Sequence, residues 1–189
     1  MIEYLDHIDT QLFLALNGVH NSFFDTVMVG LTNRYYPIPI YLVLIGIIIW
    51  KYRLNGFWAV LVIVISVLIA NHITAEIMKP LFERLRPCYN PAIADRIHLL
   101  VPCAGKWSFA SSHASSTFGL ASGLWFLFRK KISWVWVTFI WSSLVSYSRI
   151  YVGKHYPADV LVGALVGFMS AWLIYYLYLK LDRKYSIAI

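Results

Sequence analysis

Hydrophobic positions along the chain gather into five runs, residues 37–50, 57–78, 114–128, 132–145 and 158–179, and the charged residues collect in the intervals between them. Runs of this continuity predict membrane-spanning helices, since about 20 apolar residues in a helix cross the hydrocarbon layer of a bilayer. Several runs fall at the short end of that length, so their helices are expected to extend into the flanking polar residues. Ahead of residue 36 the pattern changes. There Asp6, Asp9 and Asp25 interrupt Leu12, Phe13, Leu14, Phe23, Phe24 and Val27, which suits helices lying along the membrane interface, with a sixth span as the alternative. The longest polar interval, residues 88–110, separates the second run from the third, and a loop of that length is expected to be either functional or disordered. The pattern therefore predicts an all-α, polytopic helical bundle: one membrane-embedded domain over residues 1–189, with five transmembrane helices and an N-terminal interfacial segment over 1–36. No internal repeat or low-complexity tract is visible.

Composition agrees. The chain is 60% hydrophobic and 13% charged, with 8 Trp and 13 Tyr, a profile outside the soluble norm and rich in rings that favour the headgroup layer. The N-terminus is acidic and lacks a short apolar stretch followed by a small-residue cleavage site, so no cleavable signal peptide is expected. The formal net charge of +7 raises the question of nucleic acid as a partner. The basic residues are interleaved with the spans and form no single soluble face, so that partner is rejected.

Three basic clusters, Lys51 with Arg53, Arg129 with Lys130 and Lys131, and Lys180 with Arg183 and Lys184, fall on one side of a five-span topology. Short loops rich in Lys and Arg stay cytoplasmic, so the 88–110 loop is expected on the opposite, extracytoplasmic side of the cytoplasmic membrane. The raw count of Lys and Arg is equal on the two sides; Lys79, Arg86 and Arg149 on the outer side read as buried site residues, which leaves the inner side dominant. On the outer side an oxidising compartment would let Cys88 and Cys103 pair across the loop, a cross-link worth about 3 kcal/mol.

The remaining polar residues concentrate at span ends, in Lys79 to Pro87 (KPLFERLRP), Ala110 to His113 (ASSH) and Ser148 to Asp159 (SRIYVGKHYPAD). Alternating topology brings all three to one face. A phosphoryl group needs fixed cationic donors for its oxygens, a nucleophile in line with the leaving oxygen, and an acid to protonate it. Lys79 and Arg86, seven residues apart, share a helical face if the helix continues past the lysine, with Pro87 helping to end it. Arg149 adds a planar fork for oxygen. Ser111, Ser112 and His113 open an apolar run, where the free N–H groups of a first helical turn can seat an anion. Pro157 suits the first turn of the last helix, with His155 just outside it and Asp159 within it. A carboxylate there can bond one ring nitrogen of His155 and leave the other to attack phosphorus, so His113 is left as the acid.

On these residues the sequence resembles the type 2 phosphatidic acid phosphatase (PAP2) superfamily, in particular its bacterial membrane lipid phosphatases for undecaprenyl pyrophosphate and lipid A. The first family motif is matched by Lys79, Arg86 and Pro87, and the third by Ser148, Arg149, His155 and Asp159. The second, Pro-Ser-Gly-His, is half matched: Ser111 and His113 remain, while Ala110 and Ser112 replace Pro and Gly, and the Ser112 side chain narrows the phosphate seat. The resemblance implies a bacterial inner-membrane enzyme with its site facing outward, a lipid phosphate substrate and a PAP2-like fold. It implies a phosphohistidine on His155, with His113 protonating the leaving group and then activating water, and Asp159 completing the catalytic set. Lys79, Arg86, Ser111, Ser112 and Arg149 would hold the phosphate. No metal or other cofactor is expected, because no group of Asp, Glu and His has ligand spacing in the sequence and the cations supply the charge. Undecaprenyl pyrophosphate is the first substrate expectation, ahead of lipid A 1-phosphate, phosphatidylglycerophosphate and phosphatidate. A lipid-to-lipid phosphotransferase using the same histidine, and a non-catalytic lipid-binding or transport protein, are the alternatives. His7, His20, His72 and His98 match no motif and are expected to be packing or interfacial residues. Glu76 and Glu83 are candidates to pair with the site cations, and Lys106 and Lys154 to meet an anionic headgroup.

Overall fold

The computed structural model describes residues 2–185 and is helical nearly throughout. Two N-terminal helices, α1 (Ile2–Asn17) and α2 (Ser22–Thr32), precede α3 (Ile38–His72), a π-helical turn (Ile73–Met78) and the short α4 (Lys79–Phe82). After a long loop come α5 (Ser112–Phe128), α6 (Val137–Tyr151) and α7 (Pro157–Tyr185). Among the described residues the extended pairing is one isolated antiparallel bridge, Leu85 with Trp107.

The unbroken helical stretch from Ile38 to Phe82 is 45 residues, about 68 Å if straight, which is over twice the hydrocarbon thickness. It does not run straight. Arg53 takes φ 54° and ψ −129°, and the chain reverses there into two arms that lie side by side. Gly56 marks the contact, since a β-carbon on it would collide with the Ile48 carbonyl of the first arm. The first two apolar runs are these two arms. Ile48, Ala59 and Ile63 from the arms pack with Leu124 and Phe128 of α5 in one core cluster.

Near its end the second arm widens. Pro80 has no N–H to donate and its ring crowds the carbonyl four residues back, and the π turn over Ile73–Met78 accommodates it immediately upstream. The helix then stops at Glu83, which is left-handed at φ 46°. This corrects the expectation that Lys79 and Arg86 share one helical face: Arg86 lies beyond the helix in extended backbone (φ −67°, ψ 155°), and Pro87 opens a 3-10 turn where it was expected to close a helix. The fourth helix also differs from its apolar run. Residues 129–136 form turns, and α6 continues past Val145 to Tyr151 because Ser146, Ser148 and Arg149, which seemed to end the run, are buried against the neighbouring helices.

Helices α5 and α7 form the tightest contact. A β-carbon on Gly167 of α7 would collide with the Ser115 carbonyl and lie 2.7 Å from the Gly119 nitrogen, so glycine is what allows the two backbones to approach, as in small-residue contacts between membrane helices. The outward faces are apolar: Trp50, Leu68, Leu161 and Leu165 are all more than half exposed. Only 33% and 28% of the most apolar windows of Ile38–Phe82 and Pro157–Leu181 are buried within the protein, a surface suited to lipid and unlike a soluble core. Across the long loop Cys88 and Cys103 are joined by a disulfide, with Cα atoms 6.3 Å apart. Replacing Gly167 by Leu is expected to destabilise the protein by about 1–3 kcal/mol through overpacking, whereas Gly30→Ala, with open space around it, should be near neutral; thermal melts of detergent-solubilised variants read both.

Candidate active site

The second arm of α3 ends, α5 begins, α6 ends and α7 begins at one end of the bundle, and a cavity of about 660 Å³ opens there. Lys79, Arg86, Ser112, His113, Arg149 and His155 all line it. Both imidazoles therefore face one space. Two further cations, Arg34 and Lys154, complete the wall, and no carboxylate belongs to it among the described residues. Five positive side chains around one cavity without a counter-ion on its surface form a seat for an anion.

The three cations Lys79, Arg86 and Arg149 are held from behind. Lys79 Nζ donates to Ser112 Oγ at 3.1 Å, and that hydroxyl also accepts from Thr74 at 3.1 Å. The hydroxyl that distinguishes Ser112 from the glycine of the family motif is thus a lysine ligand. Arg86 Nε donates to the Trp107 carbonyl at 3.2 Å. Arg149 is 5% exposed and donates through Nη1 to Thr32 Oγ1 at the end of α2, while its Nε has no partner. The carbonyl of Arg149 accepts from the backbone N–H groups of Lys154 at 3.0 Å and His155 at 3.2 Å, which seats the loop carrying both side chains on the end of α6. Gly153, at φ 79°, makes that turn possible.

Behind His155 lies Asp159, completely buried. Its Oδ2 is 3.3 Å from His155 Nδ1 and accepts from the Tyr156 N–H at 2.9 Å and from Ser108 Oγ. These partners assign the Nδ1–H tautomer and leave Nε2 as the nitrogen not engaged by the carboxylate. Burial drives the His155 pKa down to about 3, against the bond and charge of Asp159, which favour the proton, and with the help of Arg149 and Arg86. At neutral pH this imidazole is therefore uncharged. Lys154 is lowered to about 8 by burial and by the charges of Arg149 and Arg86.

Two nominated residues are not on the cavity wall. Asp159 lies behind His155, and Ser111 precedes α5 without capping it, its hydroxyl buried and unpartnered; its backbone N–H donates to the Asp159 carbonyl at 2.9 Å. Sequence reasoning missed three groups. Arg84 binds Asp159 Oδ1 at 3.0 Å, Ser108 binds the other oxygen, and Thr32 holds Arg149. None stands at a motif position, and for Arg84 only the alternation of arginines around Leu85 gives a signal. Of the two acids expected near the site cations, Glu76 interacts with the charge of Lys79 while Glu83 is exposed at the helix end; Arg84 pairs with Asp6, Asp9 and Asp159. Away from the cavity, His98 Nε2 meets Asp25 at 2.9 Å and stacks on His20. His20 and Asp25 flank the start of α2 and His98 comes from the long loop, and their ligand atoms lie within 4.8 Å of one another, a grouping that sequence spacing did not reveal.

A cationic cavity beside lipid-suited helices, with two imidazoles on its wall, places the protein among membrane enzymes that act on phosphate esters. The chain belongs to the PAP2 superfamily, whose model matches residues 57–183, and is a membrane phosphatase of that type. It is 37% identical to the lipid A 4'-phosphatase of Bacteroides thetaiotaomicron, over 97% of this chain and 83% of that protein. It is 34% identical to the undecaprenyl-diphosphatase BcrC of Bacillus subtilis, over 87% of this chain and 81% of that one. Among solved structures, the transmembrane PAP2-type phosphatidylglycerolphosphate phosphatase of Bacillus subtilis superposes with a TM-score of 0.67 at 25% identity, covering 95% of this chain and 89% of that one. LpxE of Aquifex aeolicus shares the fold with a TM-score of 0.70 at 24% identity, covering 87% and 93%.

Lys154 supplies a pH dependence. Above pH 8 its ammonium loses its proton and one contact to a bound anion disappears, a loss of about 1.5–3 kcal/mol. Inhibition by inorganic phosphate is therefore expected to weaken roughly tenfold or more between pH 7 and pH 9.5, and Lys154→Met should be weaker at pH 7 and show a smaller alkaline step.

Proposed function

We propose that the enzyme hydrolyses a lipid-linked phosphate or pyrophosphate through a covalent phosphohistidine on His155. The observation that carries this reading is the convergence of His113, His155 and the three motif cations on one cavity, with Asp159 buried directly behind the nucleophile. In the first step the Nε2 lone pair of His155 attacks phosphorus, the bond from phosphorus to the lipid-side oxygen breaks, and His113 gives that oxygen its proton. In the second step His113 takes a proton from water, the water oxygen attacks phosphorus, and the phosphorus–nitrogen bond breaks to release inorganic phosphate. Lys79, Arg86 and Arg149 hold the three non-bridging oxygens, where charge concentrates in the transition state. Ser112 contributes a backbone N–H at the start of α5 and holds Lys79; Ser111 contributes through the backbone, where it ties α5 to α7. The cations do the work of charge stabilisation, so activity is expected to persist in EDTA.

The apolar tail has a place as well. A cleft of about 240 Å³ lies between the two arms of α3 and α5, is lined mainly by aliphatic side chains, and shares Tyr41, Ser116 and Thr117 with the phosphate cavity. An amphiphile with its phosphate against His155 and its tail in this cleft spans both. Arg34 and Lys154 exceed what one phosphate needs, which favours a substrate with more than one phosphate. Undecaprenyl pyrophosphate stands first on this ground and lipid A second, the two substrates for which the relatives above are named; phosphatidylglycerophosphate and phosphatidate rank below.

The orientation proposed for the site is extracytoplasmic, in a bacterial cytoplasmic membrane, with the α3 hairpin and the arms of the bundle as five spans and α1 and α2 at the interface. The basic clusters at residues 51–53, 129–131 and 180–184 lie at the helix ends away from the cavity, and the Cys88–Cys103 bridge belongs in an oxidising compartment. In intact cells a cysteine placed at Lys106 should react with a membrane-impermeant maleimide and one placed at Lys130 should not; the reverse pattern inverts the topology.

A phosphate-release panel over these four lipids, with and without EDTA, tests the chemistry. Wild type should release inorganic phosphate equal to the lipid consumed, whereas a shortfall matched by a phosphorylated second lipid would identify a phosphotransferase. His155→Ala should lose at least about 10⁴-fold in kcat, as expected for a covalent nucleophile, and His113→Ala should accumulate acid-labile phosphate on His155, detectable by mass spectrometry.

A further inference from the structure

Arg84 makes more polar contacts than any motif arginine, and it makes them away from the cavity. Its Nη1 lies 3.0 Å from Asp159 Oδ1 and 2.8 Å from Asp9 Oδ2, its Nη2 is 2.7 Å from Asp6 Oδ1, and its guanidinium stacks 3.9 Å above the Tyr156 ring. Asp9 also accepts from the Ala158 N–H at 2.9 Å through its other oxygen, so a residue of α1 caps the first turn of α7. The arginine is fixed in turn by the backbone, whose carbonyl accepts from the Ser108 N–H at 2.7 Å. The pairing around Leu85 and Trp107 thus delivers Arg84 to one oxygen of Asp159 and the Ser108 hydroxyl to the other.

We propose that Arg84 is a positioning residue that orients the Asp159 carboxylate, and through it the His155 ring, and that Asp6 and Asp9 make the N-terminal helix part of this support. The inference rests on His155 being the nucleophile, as set out above. A carboxylate bonded at Oδ1 by a guanidinium and at Oδ2 by Ser108 and the Tyr156 N–H has no rotational freedom left, so His155 Nδ1 meets a fixed acceptor. Outer partners that orient metal-ligating imidazoles are worth about 10- to 100-fold, and an effect of that order is expected for a partner that orients the His155 ring. Helix α1 lies entirely before residue 57, where the match to the family model begins, so this support is built from a segment the family motifs do not reach.

The charges give Arg84 and Asp9 opposite signatures. His155 faces Asp159 of α7, Arg149 of α6, His113 of α5 and Arg86 of the preceding loop; Asp159 faces Arg84 and Ser108 of that loop and Asp9 of α1. Arg84 draws on the negative charge of Asp159. Without it the carboxylate stabilises the imidazolium of His155 more strongly, so the nucleophile is protonated at a higher pH. Asp9 adds negative charge and shares Arg84 with Asp159, so its neutralisation acts in the other direction.

The test is the steady-state kinetics of the full-length, detergent-solubilised enzyme on the best lipid of the panel, over a range of pH. For Arg84→Ala, kcat should fall about 10- to 100-fold with KM within roughly threefold, and the acid limb of the kcat profile should move to higher pH. Added ethylguanidinium should restore part of the activity, and ethylammonium much less. For Asp9→Asn the acid limb should move to lower pH, which decides the matter even if Arg84→Ala fails to fold in a thermal melt. Unchanged kcat in Arg84→Ala, or acid limbs that stay in place in both variants, would overturn the assignment. If instead His155→Ala retained wild-type turnover, the nucleophile itself would be wrong and the failure would lie in the underlying reading.

Discussion

Mutual repulsion among the cavity cations is the constraint around which the rest of the molecule is arranged. Two unit charges about 4 Å apart oppose each other by about 4 kcal/mol at an effective dielectric of 20, and Lys79, Arg86 and Arg149 are all substantially shielded from water. The fold meets this by giving each one a neutral oxygen ligand: Ser112 for Lys79, the Trp107 carbonyl for Arg86, Thr32 for Arg149. Its carboxylates are kept one layer back, where Asp159 addresses His155 and Arg84 and is absent from the cavity wall. An arriving phosphate is therefore met by cations for which no carboxylate is a direct partner among the described residues.

The N-terminal helices take on significance in that light. Thr32 closes α2 against Arg149, and Asn17 at the end of α1 donates to the carbonyls of Ile150, Tyr151 and His98. Asp9 reaches the first turn of α7. Helices that the hydropathy pattern distinguishes only as apolar segments with acids in them prove to brace the ends of α6 and α7, the two elements that flank His155. The acids at positions 6, 9 and 25 are spent on contacts to the protein, which explains why so many occur in an otherwise apolar stretch.

Much of this was legible in the sequence, for identifiable reasons. Helical membrane segments carry a strong one-dimensional signal, and the five apolar runs correspond to helical arms in the structure. That His113, His155, Lys79, Arg86 and Arg149 would meet at one cavity could be read because phosphate chemistry demands those types near span ends, whatever the local backbone. What could not be read depends on backbone detail. The left-handed Glu83 ends the helix before Arg86; the glutamate itself carries no breaking signal, although Pro80 nearby does. The extension of α6 through Ser146, Ser148 and Arg149 contradicts simple hydropathy because those side chains face protein. The partnership of Arg84 and Ser108 could not be read because it is made across an isolated pairing between loop segments, a relation that no periodicity encodes.

The junction of the apolar cleft and the cationic cavity at Tyr41, Ser116 and Thr117 has a consequence for how such an enzyme experiences its substrate. For a molecule that enters with its tail still among lipid chains, encounter takes place in two dimensions, and the governing quantity is its mole fraction in the surrounding surface. Diluting enzyme and detergent together would leave the rate almost untouched, while adding inert amphiphile at fixed substrate would slow it. Catalytic efficiency in a living cell would then be set by how crowded the leaflet is.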